Sequence, residues 1–157
     1  MAMRYLIGSE QGFSLLELII VMVVTVTLSG LASASFQSQL PHHRLNNAAR
    51  DLVSDLRWAR QLALAERQPV SVILDFETDR YRIERDSRPG IPIGWVRDLQ
   101  DDHQGFGEID LVSSSGGRTL TFYPQGTTNN WTTILLRNKS GEERQISLVA
   151  TGRVKLT

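Results

Sequence analysis

No cysteine occurs among the 157 residues, which excludes a disulfide framework and a thiolate metal site. Net charge of either sign is also missing, because Lys+Arg and Asp+Glu each number 17. No global field therefore draws the chain to nucleic acid or to an acidic partner, although a balanced total can conceal a local patch. Enzymatic signatures are scarce. There is no His-Glu-x-x-His, no Gly-Lys-Ser/Thr phosphate loop and no cysteine nucleophile. Ser113-Ser114-Ser115 lacks the flanking glycines of a nucleophile elbow and reads as a hairpin loop. His42 and His43 are adjacent, so on a helix they point about 100° apart and do not easily share a metal. Asp98, Asp101, Asp102 and His103 form an acidic knot whose spacing follows no EF-hand, and a solvated loop is the simpler reading. The sequons at Asn130 and Asn138 matter only in a glycosylating secretory route and read as chance. The sequence thus assigns no catalytic residue, no metal ligand and no cofactor.

What the chain does contain is one long apolar run. From Phe13 to Ala34 the residues are apolar or small, and Glu17 is the only ionisable side chain. As a helix this segment reaches about 33 Å, enough for a bilayer core of about 30 Å. Thr25, Thr27, Ser29 and Gly30 suit close packing between helices better than exposure to lipid. A carboxylate inside such a segment costs about 2.5–3.5 kcal/mol even on the gentler insertion scales, so Glu17 calls for a functional explanation. One alternative is a secretory signal peptide cleaved near Ala32-Ser33-Ala34, but the run is longer than a usual signal core and contains a charge. A plain anchor with Glu17 at the interface by accident is another. Cleavage between Gly12 and Phe13 offers a third account, because it creates an α-amino group one helical turn from Glu17. That ammonium can neutralise the carboxylate in its own chain or in a neighbour, and pairing across chains would set the register of packed helices.

The stretch "QGFSLLELIIVMVV" resembles the class III signal of type IV prepilins and pseudopilins. That signal is a short polar leader ending in Gly, then Phe, then Glu as the fifth mature residue, then an apolar helix. The resemblance implies that a membrane-bound aspartyl prepilin peptidase cleaves after Gly12 and methylates the new amine of Phe13. It also implies that Glu17 contacts the N-terminus of a neighbouring subunit during assembly. One departure lies in the leader "MAMRYLIGSEQG", where Arg4 is offset by Glu10, so the positive-inside effect is weakly encoded.

Past Phe36 the chain becomes polar, and Pro41 predicts a kink or fray in any helix that spans it. "RLNNAARDLVSDLRWARQLALAERQP" then resumes a helical period, with Leu45, Ala49, Leu52, Leu56, Ala59 and Ala63 on one apolar stripe. Arg50, Asp51, Asp55, Arg57 and Glu66 fall on other faces, and Asp51 and Asp55 are expected to form modest surface pairs one turn away. Pro69 ends the helix. "VSVILDF" alternates, with Val70, Val72, Leu74 and Phe76 on one face, and Glu77-Thr78-Asp79 turns the chain into "RYRIER" as a hairpin partner. Asp86 to Trp95 is rich in Pro and Gly and reads as an exposed loop. Further strands are expected at 109–112, 120–123, 132–137, 143–149 and 153–156. The predicted class is α+β, a long N-terminal helix laid on antiparallel sheet. The expected organisation is a leader (1–12), a transmembrane or filament-core helix (13–34), an amphipathic helix (35–68) and an antiparallel β domain (69–157).

"AARDLVSDLRWARQLALAERQPVSV", "LTFYPQGT" and "ISLVATGRVKL" resemble, in this order, the GspH/FimT group of minor pseudopilins and minor pilins. The group's Phe-x-Pro-x-Gly turn corresponds to Phe122, Pro124 and Gly126, and the chain closes on Gly-Arg. The stretch from Asp86 to Gly107 matches no part of it. The resemblance implies a pilin-like, non-enzymatic subunit of the type II secretion pseudopilus. Such a subunit is single-pass in the inner membrane, with its C-terminal domain in the periplasm. After assembly it lies in a periplasmic filament, with other pilin or pseudopilin subunits as partners. Some FimT-type minor pilins bind DNA for natural transformation through a C-terminal Gly-Arg-x-Arg patch, which implies a second reading. The matching residues are Gly152, Arg153, Val154 and Lys155, where lysine keeps the charge but loses the planar fork. Arg137, Lys139, Arg144, Arg153 and Lys155 face only Glu142 and Glu143 across this C-terminal stretch. Arg153 and Lys155 alone would give weak, salt-sensitive phosphate binding. A terminal strand with both cations outward around an inward Val154 needs no ligand.

Overall fold

The computed structural model describes residues 13–157, and the side chains of all of these except 31–39. Two units are distinguished, Met1–Gln39 and Leu40–Thr157. A helix α1 is assigned over Leu15–Glu66 and contributes to both. Pro41 lies inside it, so the expected fraying does not occur. Proline removes one backbone donor there, and the turn that follows is anchored by fully buried Leu45. The helix closes at Glu66 because Arg67 turns left-handed, at φ 53°, just ahead of Pro69.

In the second unit, eight strands form two four-stranded antiparallel sheets. β1 (Val70–Asp75), β2 (Arg80–Arg85), β3 (Pro92–Asp98) and β5 (Thr119–Phe122) make one, in the order β3-β2-β1-β5. β4 (Ile109–Ser114), β6 (Thr132–Asn138), β7 (Glu143–Leu148) and β8 (Val154–Leu156) make the other, in the order β4-β6-β7-β8. The α+β class is as predicted, with the antiparallel strands divided between two sheets. The stripe Leu45, Ala49, Leu52, Leu56, Ala59 and Ala63 is wholly buried and shares one apolar cluster with the inner faces of both sheets. Val70, Val72 and Leu74 of β1 point into that cluster, as do Ile134 and Leu136 of β6 and Ile146 and Leu148 of β7. Alternation at period two sets these faces.

Three expectations are corrected. The stretch read as a loop at 86–107 contains β3 and a 3-10 turn, Asp102–Gln104. Pro92 and Gly94 hid the strand, and both are tolerated because β3 is an edge strand whose register against β2 shifts between Arg82 and Glu84. Ser113 and Ser114 belong to β4 rather than to a hairpin loop, and the turn at Ser115-Gly116 leads from one sheet to the other. Asp55 is not on the surface. It is 6 % exposed and accepts hydrogen bonds on one Oδ2 from the Tyr81 hydroxyl (2.8 Å) and from Arg97 Nε (3.1 Å).

Candidate functional site

Gly12 lies outside the described residues. Phe13 stands just ahead of α1 and is exposed, and Glu17 falls in the first turn of the helix, where a carboxylate is favoured by the helix dipole. From Leu15 to Leu28 the large apolar side chains are 49–75 % exposed. Large apolar side chains therefore stand on every face of this stretch rather than on one stripe. Its hydroxyls are satisfied internally. Thr25 donates to the Val21 carbonyl (2.7 Å), Thr27 to those of Val23 (3.0 Å) and Val24 (2.8 Å), and Ser29 to that of Thr25 (2.8 Å). In hydrocarbon each of these groups would otherwise be unpaired. Among the described residues no helix is long and apolar enough to cross a membrane. Leu15–Gly30 covers about 24 Å of helix, and the side chains of residues 31–34, which complete the expected span, are outside those described.

A second constellation forms where three sequence-distant segments meet. Arg60 on α1 donates from Nε to the Gly126 carbonyl (2.9 Å) and from Nη2 to the Thr151 carbonyl (3.2 Å). Gly126 closes the Phe122-Tyr123-Pro124-Gln125-Gly126 turn, and Gly152 opens the final segment; both are buried, at φ 82° and 75°. Thr128 N–H donates to the Ala150 carbonyl (3.0 Å) and ties the same two loops. The helix arginine, the Phe-x-Pro-x-Gly turn and the Gly-Arg close are thus one clasp. A side chain at Gly152 would strike the Gly126 carbonyl and the Arg60 guanidinium, whereas one at Gly126 would meet only the ends of the Arg60 and Leu64 side chains. Alanine at Gly126 is expected to cost about 1–2 kcal/mol for the left-handed backbone. At Gly152 the added clash raises this to about 3 kcal/mol or more. Chemical denaturation of the two variants checks the order.

Beside the clasp lies an open cleft of about 350 Å³, lined by Arg57, Arg60, Gln61, Leu64, Gly152, Arg153 and Val154. Arg153 is therefore brought together with two helix arginines that the sequence reading had left apart from it. Lys155 is not among the lining residues; it sits on β8 opposite Ser147 of β7 and borders, with Arg153, a neighbouring depression. Val154 is partly buried against the core, while Arg153 and Lys155 are exposed. The available sequence signal was a helix face carrying Arg57 and Arg60 with no acid one turn from Arg57.

The other titratable clusters are internally engaged. Around Asp55, burial and then the neighbouring carboxylate push the Tyr81 hydroxyl well above its usual range. Asp51 is raised chiefly by burial, against the pull of Arg97 and with the help of Asp55. Arg97 also lies 4.8 Å from the centre of the Trp95 ring, which stacks on Trp58 at 6.0 Å and 13°. Glu66 takes a two-point contact from Arg85, both at 2.6 Å, and together with Gln68 this holds its carboxyl down at about 2. In the acidic knot, Asp98 pairs with Arg80 (2.7 Å), Asp102 pairs with Arg44 (3.0 Å), and Asp101 accepts from the His103 backbone (2.9 Å). Among the described residues no three His, Asp or Glu side chains are grouped to hold a metal. His42 turns to Glu142 at 3.2 Å.

The family model for type II transport protein GspH matches residues 48–152. The chain belongs to the GspH family. The matched span includes Arg60, Gly126 and Gly152, so the whole clasp lies within the GspH region, and Arg153 and Lys155 lie just beyond it. In fold the chain resembles the type IV minor pilin FimU of Pseudomonas aeruginosa, with a TM-score of 0.59 and 22 % identity over 74 % of this chain and 90 % of that one. It equally resembles the minor pseudopilin EpsH from the type 2 secretion system of Vibrio cholerae, at a TM-score of 0.58 and 15 % identity over 73 % and 96 %. At such identities the likeness establishes the pilin-like fold and nothing finer. No curated protein matches the chain.

Proposed function

We propose that this GspH-family chain is a minor pseudopilin, a structural rather than catalytic subunit of the type II secretion pseudopilus. The observation that carries the reading is Glu17 in the first turn of an all-round apolar helix, five residues into the chain that would begin at Phe13. The GspH match and the likeness to EpsH support the choice of machine. On this reading prepilin peptidase removes residues 1–12 and methylates Phe13. Residues 13–34 hold the subunit in the inner membrane with the β domain in the periplasm, and assembly then packs these helices together. Mass spectrometry of the mature protein is expected to find N-methylated Phe13 at its start. A mature end at Ser35 would reject the proposal in favour of a conventional signal peptide.

A second reading, a minor type IV pilin that binds DNA during natural transformation, draws on the likeness to FimU and on Arg153 in the basic cleft. Lys155 stands outside that cleft but borders, with Arg153, a neighbouring depression, so the two cations proposed for DNA are close together yet only Arg153 joins the helix arginines. Gel shifts of the full chain with duplex DNA at low salt, with Arg153→Ala and Lys155→Ala as controls, separate the readings; no binding removes the second.

A further inference from the structure

Arg57, Arg60 and Arg153 come from two distant parts of the chain, yet they line one cleft that holds no acidic side chain. Arg57 and Arg153, like Arg50, Arg67, Arg88 and Lys155, make no ion pair or side-chain hydrogen bond among the described residues, whereas eight other arginine and lysine side chains pair with carboxylates. Arg60 is held rigid by its two carbonyl bonds, with Nη1 left uncommitted. Like charges one helical turn apart repel, and an anion placed between them relieves that repulsion. Gln61 adds a directional amide, and Leu64, 44 % exposed, and Val154 add apolar wall.

We infer that this cleft receives an acidic side chain, flanked by apolar residues, from an adjoining subunit. The inference rests on the filament-subunit reading above. A carboxylate matches the planar fork of a guanidinium with two parallel hydrogen bonds, which gives orientation as well as charge. Binding of single-stranded nucleic acid calls instead for a track of cations with aromatic stacking platforms. The cleft has no aromatic lining, and the exposed indoles Trp95 and Trp131 are not part of it. The apolar walls would have no use for a phosphate backbone.

The full-length chain in detergent micelles, titrated with the labelled peptide acetyl-Leu-Glu-Leu-Glu-Leu-amide, tests this directly. Binding is expected, with the Gln-for-Glu peptide inert. Arg57→Gln with Arg153→Gln is expected to weaken it about tenfold or more, the scale of a lost charge-assisted contact. Arg60 is left intact to preserve the clasp, and circular dichroism confirms the fold of the variant. Binding of a duplex oligonucleotide with no binding of the peptide would overturn the inference, as would silence of both probes. In cells, native protein in filaments with the double variant depleted supports it. Equal incorporation of both overturns the cleft and leaves the subunit reading standing. Absence of the native protein from filaments removes both.

Discussion

Glu17→Gln subunits are expected to be cleaved after Gly12 like the native chain and yet to be depleted from filaments about 100-fold or more. On the proposed reading, cleavage acts on the polar leader and the Gly12-Phe13 bond, which the substitution leaves alone. Assembly on that reading is different, because it would move the first helical turn into contact with other apolar helices, where water no longer screens charge. The new amine of Phe13 would then need a carboxylate. Removing one partner of a buried ion pair costs about 3–5 kcal/mol, since the other charge stays behind unpaired. At about 1.4 kcal/mol per factor of ten, that is two to three orders of magnitude in incorporation. Comparing the mature subunit in sheared filaments with that in the inner membrane measures the effect. Native-level incorporation would mean that the carboxylate serves only the helix dipole, a contribution of about 0.3–1 kcal/mol.

The largest effect within the β domain is expected at Asp55. Asp55→Ala should lower unfolding stability by about 3–5 kcal/mol, because it strands the Arg97 guanidinium and the Tyr81 hydroxyl together. Both donors converge on one oxygen of this 6 % exposed side chain, and neither makes a hydrogen bond to another carboxylate. Asp55→Asn keeps an acceptor but not the charge and should cost roughly half as much, and Tyr81→Phe about 1–2 kcal/mol. A whole domain is stable by only about 5–15 kcal/mol, so the first variant stands near the limit of folding. Arg97 also braces Trp95 against Trp58, and its release should weaken the near-ultraviolet dichroism of that indole pair along with stability. Denaturant unfolding followed by tryptophan fluorescence gives the ranking. A loss under about 1 kcal/mol for Asp55→Ala would show that water reaches the network and replaces the carboxylate.

The apolar stripe from Leu45 to Ala63 was legible because burial on a helix repeats every three to four residues, and every predicted position is fully buried. β1 and β2 were legible for the parallel reason, with an alternation closed by a short turn. Asp55 was misread because periodicity assigns it to a flank of the helix, while its partners lie on β2 and β3. The same applies to Glu66, whose ion-pair partner Arg85 is on β2. At the candidate site, Phe13 and Glu17 were named from local pattern and Arg153 from the family resemblance. Arg57 and Arg60 joined Arg153 only in three dimensions, because the loop around Gly152 folds back on the helix through the Arg60 clasp.

The sequence by itself determined the α+β class, the inward faces, the prepilin-like head and its lone carboxylate. These are local properties, set by the spacing of apolar and charged residues along a single element. Tertiary structure alone decided that β4 and β5 enter different sheets, that an edge strand runs through Pro92 and Gly94, and that three arginines share a cleft. Period two says which way a strand faces but not which strand it pairs with, and a charge acquires a partner only when distant segments pack.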